Sequence, residues 1–271
     1  MTVTGNDDKV IETIRIDDLT VLRAASAVAT RRPVLFVHGY FVDGTIWNDW
    51  LEFFAARGVD AYAVNLSGRS GSRPQADLGR LSIDDFVNDA ATVASRVGAA
   101  AVVGHSMGGL IAQRLAERGA VDAAVLVAPA PPRGITVLSP RLAMAQLKYL
   151  PAILRSRPVY PGREDLRALV LNRVPAHQQE ALLENMLPDS GRAGRDMSIT
   201  GVPVDRHRVR CPLLVIGAED DQFIPHHIVS RIAERYHAPL ITVEHHGHMV
   251  IVEPNWQQVA ETVERWIRER T

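Results

Sequence analysis

Only one cysteine, Cys211, occurs in 271 residues, so no internal disulfide can staple the fold. That scarcity agrees with a reducing compartment, and with no glycine turn or adjacent base around it Cys211 reads as a small core-side residue ahead of Pro212. Charge of one sign is also missing. Thirty basic side chains face thirty-one acidic ones, with no basic run or acidic tail, so the features that recruit nucleic acid or an anionic membrane are absent. The stretch from Met1 to Asp8 is polar and partly acidic, unlike a signal peptide, and no long transmembrane run follows. The expectation is a soluble, cytoplasmic protein with no membrane insertion. What is present is apolar residue: 46% of a chain long for one domain and short for two, which fits one domain with an insertion.

Along the chain, strand and helix patterns alternate. Lys9 to Ala24 carries Ile11, Ile14, Ile16, Leu19, Val21 and Leu22 around Asp17-Asp18, the pattern of an antiparallel edge hairpin. Pro33 to Val37 is a continuous apolar run, as in a strand buried on both faces. Ile46, Trp50, Phe53 and Phe54 trace a helical face up to Gly58, and Ala61 to Asn65 is the next strand. A polar loop follows from Leu66 to Pro74. Ser82 with Asp85 then opens a helix carrying Ile83, Phe86, Val87, Ala90 and Val97. Val121 to Ala128 and Leu213 to Gly217 supply further strands, and strands separated by helices imply a largely parallel sheet with right-handed crossovers.

The most informative stretch is Gly104-His105-Ser106-Met107-Gly108-Gly109, which follows the apolar run Ala99 to Val103 and opens a helix at about Leu110. G-x-S-x-G between a strand and a helix puts a serine on a strained turn, where flanking glycines allow close packing. Ser106 is thus a candidate nucleophile. A serine nucleophile needs N–H donors aimed at the developing oxyanion. The loop His38-Gly39-Tyr40-Phe41, at the end of its own strand, offers the Tyr40 amide, and the helix start offers that of Met107. It also needs a base, and a carboxylate to orient that base. Asp220 and Asp221 lie after a strand, and alternating side-chain directions let only one face a histidine. His245, His246 and His248 follow the strand Leu240 to Val243. No second matching ligand pair accompanies these histidines, so neither metal nor cofactor is implied.

Composition shifts at Pro129, and from there to about Arg208 the chain is proline-punctuated and helical without a clear strand. We expect residues 131–208 to form a helical cap inserted in a core of residues 1–130 and 209–271. Leu142, Met144, Ala145, Leu147 and Leu150, then Leu166 to Leu171, then His177 to Leu187 supply its three expected helices. Met144, Leu147, Tyr149, Leu150, Met186 and Leu187 are candidates to line an apolar acyl site beneath it. The cap arginines read as a solvated face.

The order Ser106, Asp221, His248 with His38-Gly39 upstream resembles the α/β-hydrolase superfamily over nearly the whole chain. The resemblance implies an α/β fold with a mostly parallel eight-stranded sheet flanked by helices and an inserted helical cap. It selects His248, which follows Gly247, as the base, and Asp221, four residues before Pro225, as the acid. It implies Tyr40 and Met107 as oxyanion donors and His38, Gly39, Phe41, His105, Met144, Leu147 and Met249 as substrate contacts. Serine rather than aspartate as nucleophile argues against epoxide hydrolases and haloalkane dehalogenases. Tyr40-Phe41-Val42 lacks the proline often found there in cofactor-free haloperoxidases and perhydrolases. The expected activity is esterase- or lipase-like hydrolysis of a small-molecule ester. Thioester, lactone and carbon–carbon hydrolysis share the same residues, and a non-catalytic ligand receptor is the reading from another class. The sequence carries no sign of oligomeric state.

Overall fold

The computed structural model describes residues 11–72, 75–136, 144 and 147–271, with backbone only for 75–77. The polar start from Met1 to Asp8, Lys9, the loop residues Arg73 and Pro74, and the expected cap residues Leu142 and Ala145 lie outside the described residues.

Eight strands form one sheet in the order β1-β2-β4-β3-β5-β6-β7-β8. β1 (Ile11–Ile16) and β2 (Leu19–Ala24) make the expected antiparallel hairpin, turning at Asp17 with φ 50°. β2 also runs antiparallel to β4 (Val59–Val64). From there every neighbouring pair is parallel: β4 with β3 (Arg31–Val37), β3 with β5 (Ala101–His105), then β6 (Ala123–Val127), β7 (Leu213–Ala218) and β8 (Leu240–Val243). The continuous apolar runs exist because both sheet faces are covered. Along β3, Val34 and Phe36 join the layer that holds α1 (Asn48–Ala55), whereas Leu35 and Val37 join the layer of α2 (Ile83–Val97) and α3 (Met107–Arg118). Successive side chains point to opposite faces, so each strand feeds both layers.

Local signals fix the helix ends. Ser82 and Asp85 form a full capping box on α2, whose last turn closes on Gly98 at φ 65°; a cap of this kind stabilises by about 1 kcal/mol. In the other layer Phe36, Trp47, Trp50 and Phe54 pack ring to ring at 5.1–6.4 Å. The buried Trp50 indole donates to the Ile251 carbonyl at 2.9 Å. That bond ties α1 to the chain just after His248.

Between β6 and β7 the described residues add no strand to the sheet. They form α4 (Leu150–Leu154), then α5 (Arg163–Asp165) running into a wide π turn over Leu166–Val170, α6 (Ala176–Glu184), and α7 (Gly191–Arg195) running into a second π turn over Asp196–Thr200. The apolar periodicity anticipated the middle pieces but not Gly191–Thr200. Gly191-Arg192-Ala193-Gly194-Arg195 has no apolar period, and its helix starts because the Ser190 hydroxyl accepts from Ala193 N. After β7 come α8 (His226–Tyr236) and α9 (Trp256–Arg268), whose apolar stripes close the two layers. No described helix is long and apolar enough to cross a membrane.

Candidate active site

Ser106 sits between β5 and α3 with φ 55° and ψ −117°, a left-handed conformation that costs a side-chain-bearing residue about 1–3 kcal/mol and survives only where the surroundings over-determine it. They do so here. Ser106 N donates to the Val127 carbonyl at 3.0 Å, and its own carbonyl accepts from Gly109, Leu110 and Ala130. The glycines are sterically required: a Cβ on Gly104 would lie 2.1 Å from the Gly108 carbonyl oxygen, and one on Gly108 would lie 2.1 Å from that of Val37.

The Ser106 hydroxyl lies 3.0 Å from His248 Nε2, and His248 Nδ1 lies 2.8 Å from Asp221 Oδ2. All three side chains are buried. Asp221 Oδ1 accepts the N–H groups of Phe223 and Ile224, each at 2.8 Å, which fixes the carboxylate plane. Asp221 therefore holds Nδ1 as the donor and leaves Nε2 to accept the serine proton. Asp220, the competing carboxylate, turns away to Arg173 at 2.6 Å. His246 is anchored to the Glu244 and Pro254 carbonyls. His245 is exposed beside Glu219 and Asp220, in a group compact enough to suit a cation, but those carboxylates already face Arg173 and the His245 amide.

Two further histidines frame the site. His105 Nε2 donates to the His248 carbonyl at 2.8 Å, and burial with the neighbouring His248 pushes its pKa down to about 3. His38 accepts from Leu66 N on Nε2 and donates from Nδ1 to the Gly39 carbonyl. Burial, reinforced by the Arg69 charge, lowers its pKa to about 4. Both are held neutral inside the protein.

Ser106 and His248 open onto a cavity of about 390 Å³, within the range of small-molecule sites. Gly39, Tyr40, Phe41, His105, Met107 and Met249 all line it. Met107 occupies the first position of α3, where a helix N–H has no intrahelical acceptor. Three expected contacts are corrected. His38 is fully buried behind the loop it braces, because its ring satisfies backbone groups of two strand ends, and it does not reach the cavity. Met144 and Leu147 have helical backbone but lie 73% and 65% exposed on the outer side. Leu150 and Leu187 are likewise not in the lining, whereas Tyr149 and Met186 are. The apolar wall comes instead from Leu166, Leu169 and Val170 of the first π turn, Met197 and Ile199 of the second, and Ile153.

The sequence model of the alpha/beta hydrolase family matches residues 34–262. The chain belongs to the alpha/beta hydrolase family. Within this family it is similar to a non-heme haloperoxidase of Rhodococcus erythropolis, 28% identical over 212 residues that cover 72% of this chain and 76% of that protein. Among solved structures, a thermophilic esterase from Thermogutta terrifontis with malate bound has a TM-score of 0.70 at 19% identity, covering 96% of this chain and 100% of that one. A monoacylglycerol lipase of Paleococcus ferrophilus has a TM-score of 0.70 at 18% identity, covering 93% and 99%. At such identities the structures speak to the alpha/beta hydrolase fold, and the chemistry rests on the site itself.

Sequence reasoning missed the groups that brace the site from behind. Arg69 and Asp189 form a fully buried ion pair, and Glu253 accepts Gly247 N at 2.7 Å beside His248, its pKa raised by burial. In the sequence Arg69 is one of several loop arginines and Asp189 one acid after a proline; no spacing rule links them.

Proposed function

We propose that the protein hydrolyses carboxylic esters through an acyl-enzyme, with Ser106, His248 and Asp221 as the catalytic triad. The observation that carries this reading is the unbroken hydrogen-bond chain Asp221–His248–Ser106 ending at an apolar cavity. His248 Nε2 takes the serine proton as Oγ attacks the carbonyl carbon, and Asp221 stabilises the imidazolium. The Tyr40 and Met107 N–H groups bind the oxyanion, helped by the α3 dipole. His248 then gives the proton to the leaving alcohol. Water repeats the sequence on the acyl-serine, releasing the acid and restoring Ser106. The segment 131–208 acts as the cap that sizes the acyl pocket. No cofactor enters any step.

The test is turnover of p-nitrophenyl esters from acetate to long-chain acyl, comparing wild type with Ser106→Ala and adding a serine-directed phosphonate. Turnover in the wild type, lost in the variant and blocked by the phosphonate, supports the reading. A folded wild type that neither turns over these esters nor takes the label sinks it. The Rhodococcus relative favours a second reading, peroxide-dependent halide oxidation, against which Tyr40-Phe41-Val42 lacks the expected proline. Bromide oxidation with hydrogen peroxide, measured beside the ester assay, separates the two.

A further inference from the structure

The loop that carries Tyr40 is held in an unfavourable shape from outside. Phe41 has φ 69°, a left-handed conformation in a bulky residue, and both of its backbone groups are clamped by the segment between β6 and β7. Phe41 N donates to Asp189 Oδ2 at 2.8 Å, and the Phe41 carbonyl accepts from Leu187 N at 2.8 Å. On either side, the Tyr40 hydroxyl donates to the Ser190 carbonyl at 2.6 Å and the Val42 carbonyl accepts from Arg69 Nε at 3.1 Å. Four consecutive contacts thus meet on three residues of loop.

Asp189 is the hub of these contacts and is fully buried. Besides Phe41 N it accepts Ser190 N at 2.6 Å and pairs with Arg69, which also donates to the Pro188 carbonyl at 2.8 Å. Its own backbone forms a two-way bridge with Val159, at 2.7 and 2.8 Å. A buried carboxylate held this way is a fixed point: each oxygen accepts a backbone N–H, and the guanidinium offsets the charge. The peptide that carries Tyr40 N is held on one side by His38, which donates to the Gly39 carbonyl, and the next peptide is held on the other by Asp189 through Phe41 N.

We infer that Asp189, held by Arg69, is a positioning residue that aims the Tyr40 amide at the oxyanion and so makes oxyanion stabilisation depend on how the inserted segment is seated. This rests on the ester-hydrolase reading above. Asp189 touches no substrate. Its effect is on the transition state, because the oxyanion forms only there; ground-state ester binding to the apolar wall does not use the amide.

The experiment compares Asp189→Asn, Tyr40→Phe and wild type in kcat, KM and the affinity of a trifluoromethyl ketone, which adds to a nucleophilic serine and places an oxyanion where the ester would. Asn keeps the shape but presents an N–H where a second acceptor is needed. The expected result for Asp189→Asn is a fall in kcat of about 10- to 100-fold with an equal loss of ketone affinity and KM within about threefold. Tyr40→Phe, which removes only the tie to Ser190, is expected to lose about three- to tenfold in the same two quantities. Unchanged kcat and ketone affinity in folded Asp189→Asn, or a loss carried by KM alone, overturns the inference. Should Asp189→Asn fail to fold, with Arg69 left unpaired, the same readouts on Arg69→Lys, which keeps a counter-charge but loses the donors to the Val42 and Pro188 carbonyls, decide it in the same way. Phosphonate labelling of wild-type Ser106 is run alongside. If it fails, the hydrolase reading has fallen and the positioning role with it; if it succeeds while the variants stay at wild-type levels, only the positioning role has fallen.

Discussion

The sheet and the segment between β6 and β7 solve the same problem, holding side chains still, with a different balance of packing and polar contacts. Where α1 packs on the sheet, Phe36 of β3 and Trp47, Trp50 and Phe54 at and along the helix are fully buried, and position is set by packing. In the segment, Met144, Leu147, Leu154, Tyr160 and Ile199 are more than half exposed; Leu166, Leu171, Val174 and Leu183 pack into a small apolar cluster with Met249, while Asp189, Ser190 and their hydrogen bonds add a polar set of fixed points. Packing is non-directional and tolerates small adjustments. A buried charged hub is directional and fails as a unit when one partner goes. The proposed nucleophile therefore sits on a hydrogen-bonded turn at the end of a packed strand, and one of its proposed oxyanion donors beside the charged hub.

The largest expected effect that breaks this comparison is at the serine. Ser106→Ala should lower ester turnover by more than about 1,000-fold, while Ser106→Gly, equally inactive, should raise stability by about 1 kcal/mol because glycine accepts φ 55° without strain. Urea titration of the two variants checks it; equal stabilities would mean the turn is unstrained. Next comes packing. Trp50→Ala should cost about 3–5 kcal/mol and should also lower kcat, since the indole bond to Ile251 steadies the chain after His248. A destabilised variant with wild-type kcat would separate the packed layer from the histidine.

A smaller effect concerns acid. His38 and His105 are buried neutral, with pKa values near 4 and 3 against 6.5 when unfolded. Between those values the unfolded chain binds the extra protons, so stability is unaffected above about pH 6.5 and falls as pH drops below it, by up to about 1.4 kcal/mol per pH unit for each histidine. Denaturation midpoints at pH 7.5 and 5 measure it, and equal midpoints would remove the claim. Smallest of all is the segment's apolar wall. Met186→Ala should leave stability within about 1 kcal/mol and shift the preferred acyl chain longer by about one or two carbons, read from the p-nitrophenyl ester series. An unchanged preference would place the acyl chain against another wall.

The same contrast explains what could be read in the sequence. Continuous apolar runs gave β3, β5, β6 and β7 because burial on both faces demands them, and the alpha/beta hydrolase membership follows with the serine turn. The choice between Asp220 and Asp221 needed the resemblance, since neighbouring residues in a loop carry no period; in the structure one meets His248 and the other Arg173. His38 looked like a cavity residue because it precedes Gly39, but its two ring nitrogens are used up on backbone. Met144 and Leu147 were misplaced because an apolar stripe says that a face is greasy, not which neighbour covers it. The π turns left no signal, and the Arg69–Asp189 pair spans too much chain for spacing to report.

β6 and β7 are neighbours in the sheet, paired from Ala124–Leu213 to Val127–Ile216. The two strands are parallel, so the chain leaves at the carboxyl end of β6 and re-enters at the amino end of β7, and the long excursion between them has only to return along about one strand length, roughly 15 Å. Closing such a loop costs only slightly more as it lengthens. Evolution, or an engineer, can therefore exchange the whole excursion as a cartridge without re-threading the sheet. A socket any replacement must fill is the buried guanidinium of Arg69, which would otherwise be left without its counter-charge from Asp189.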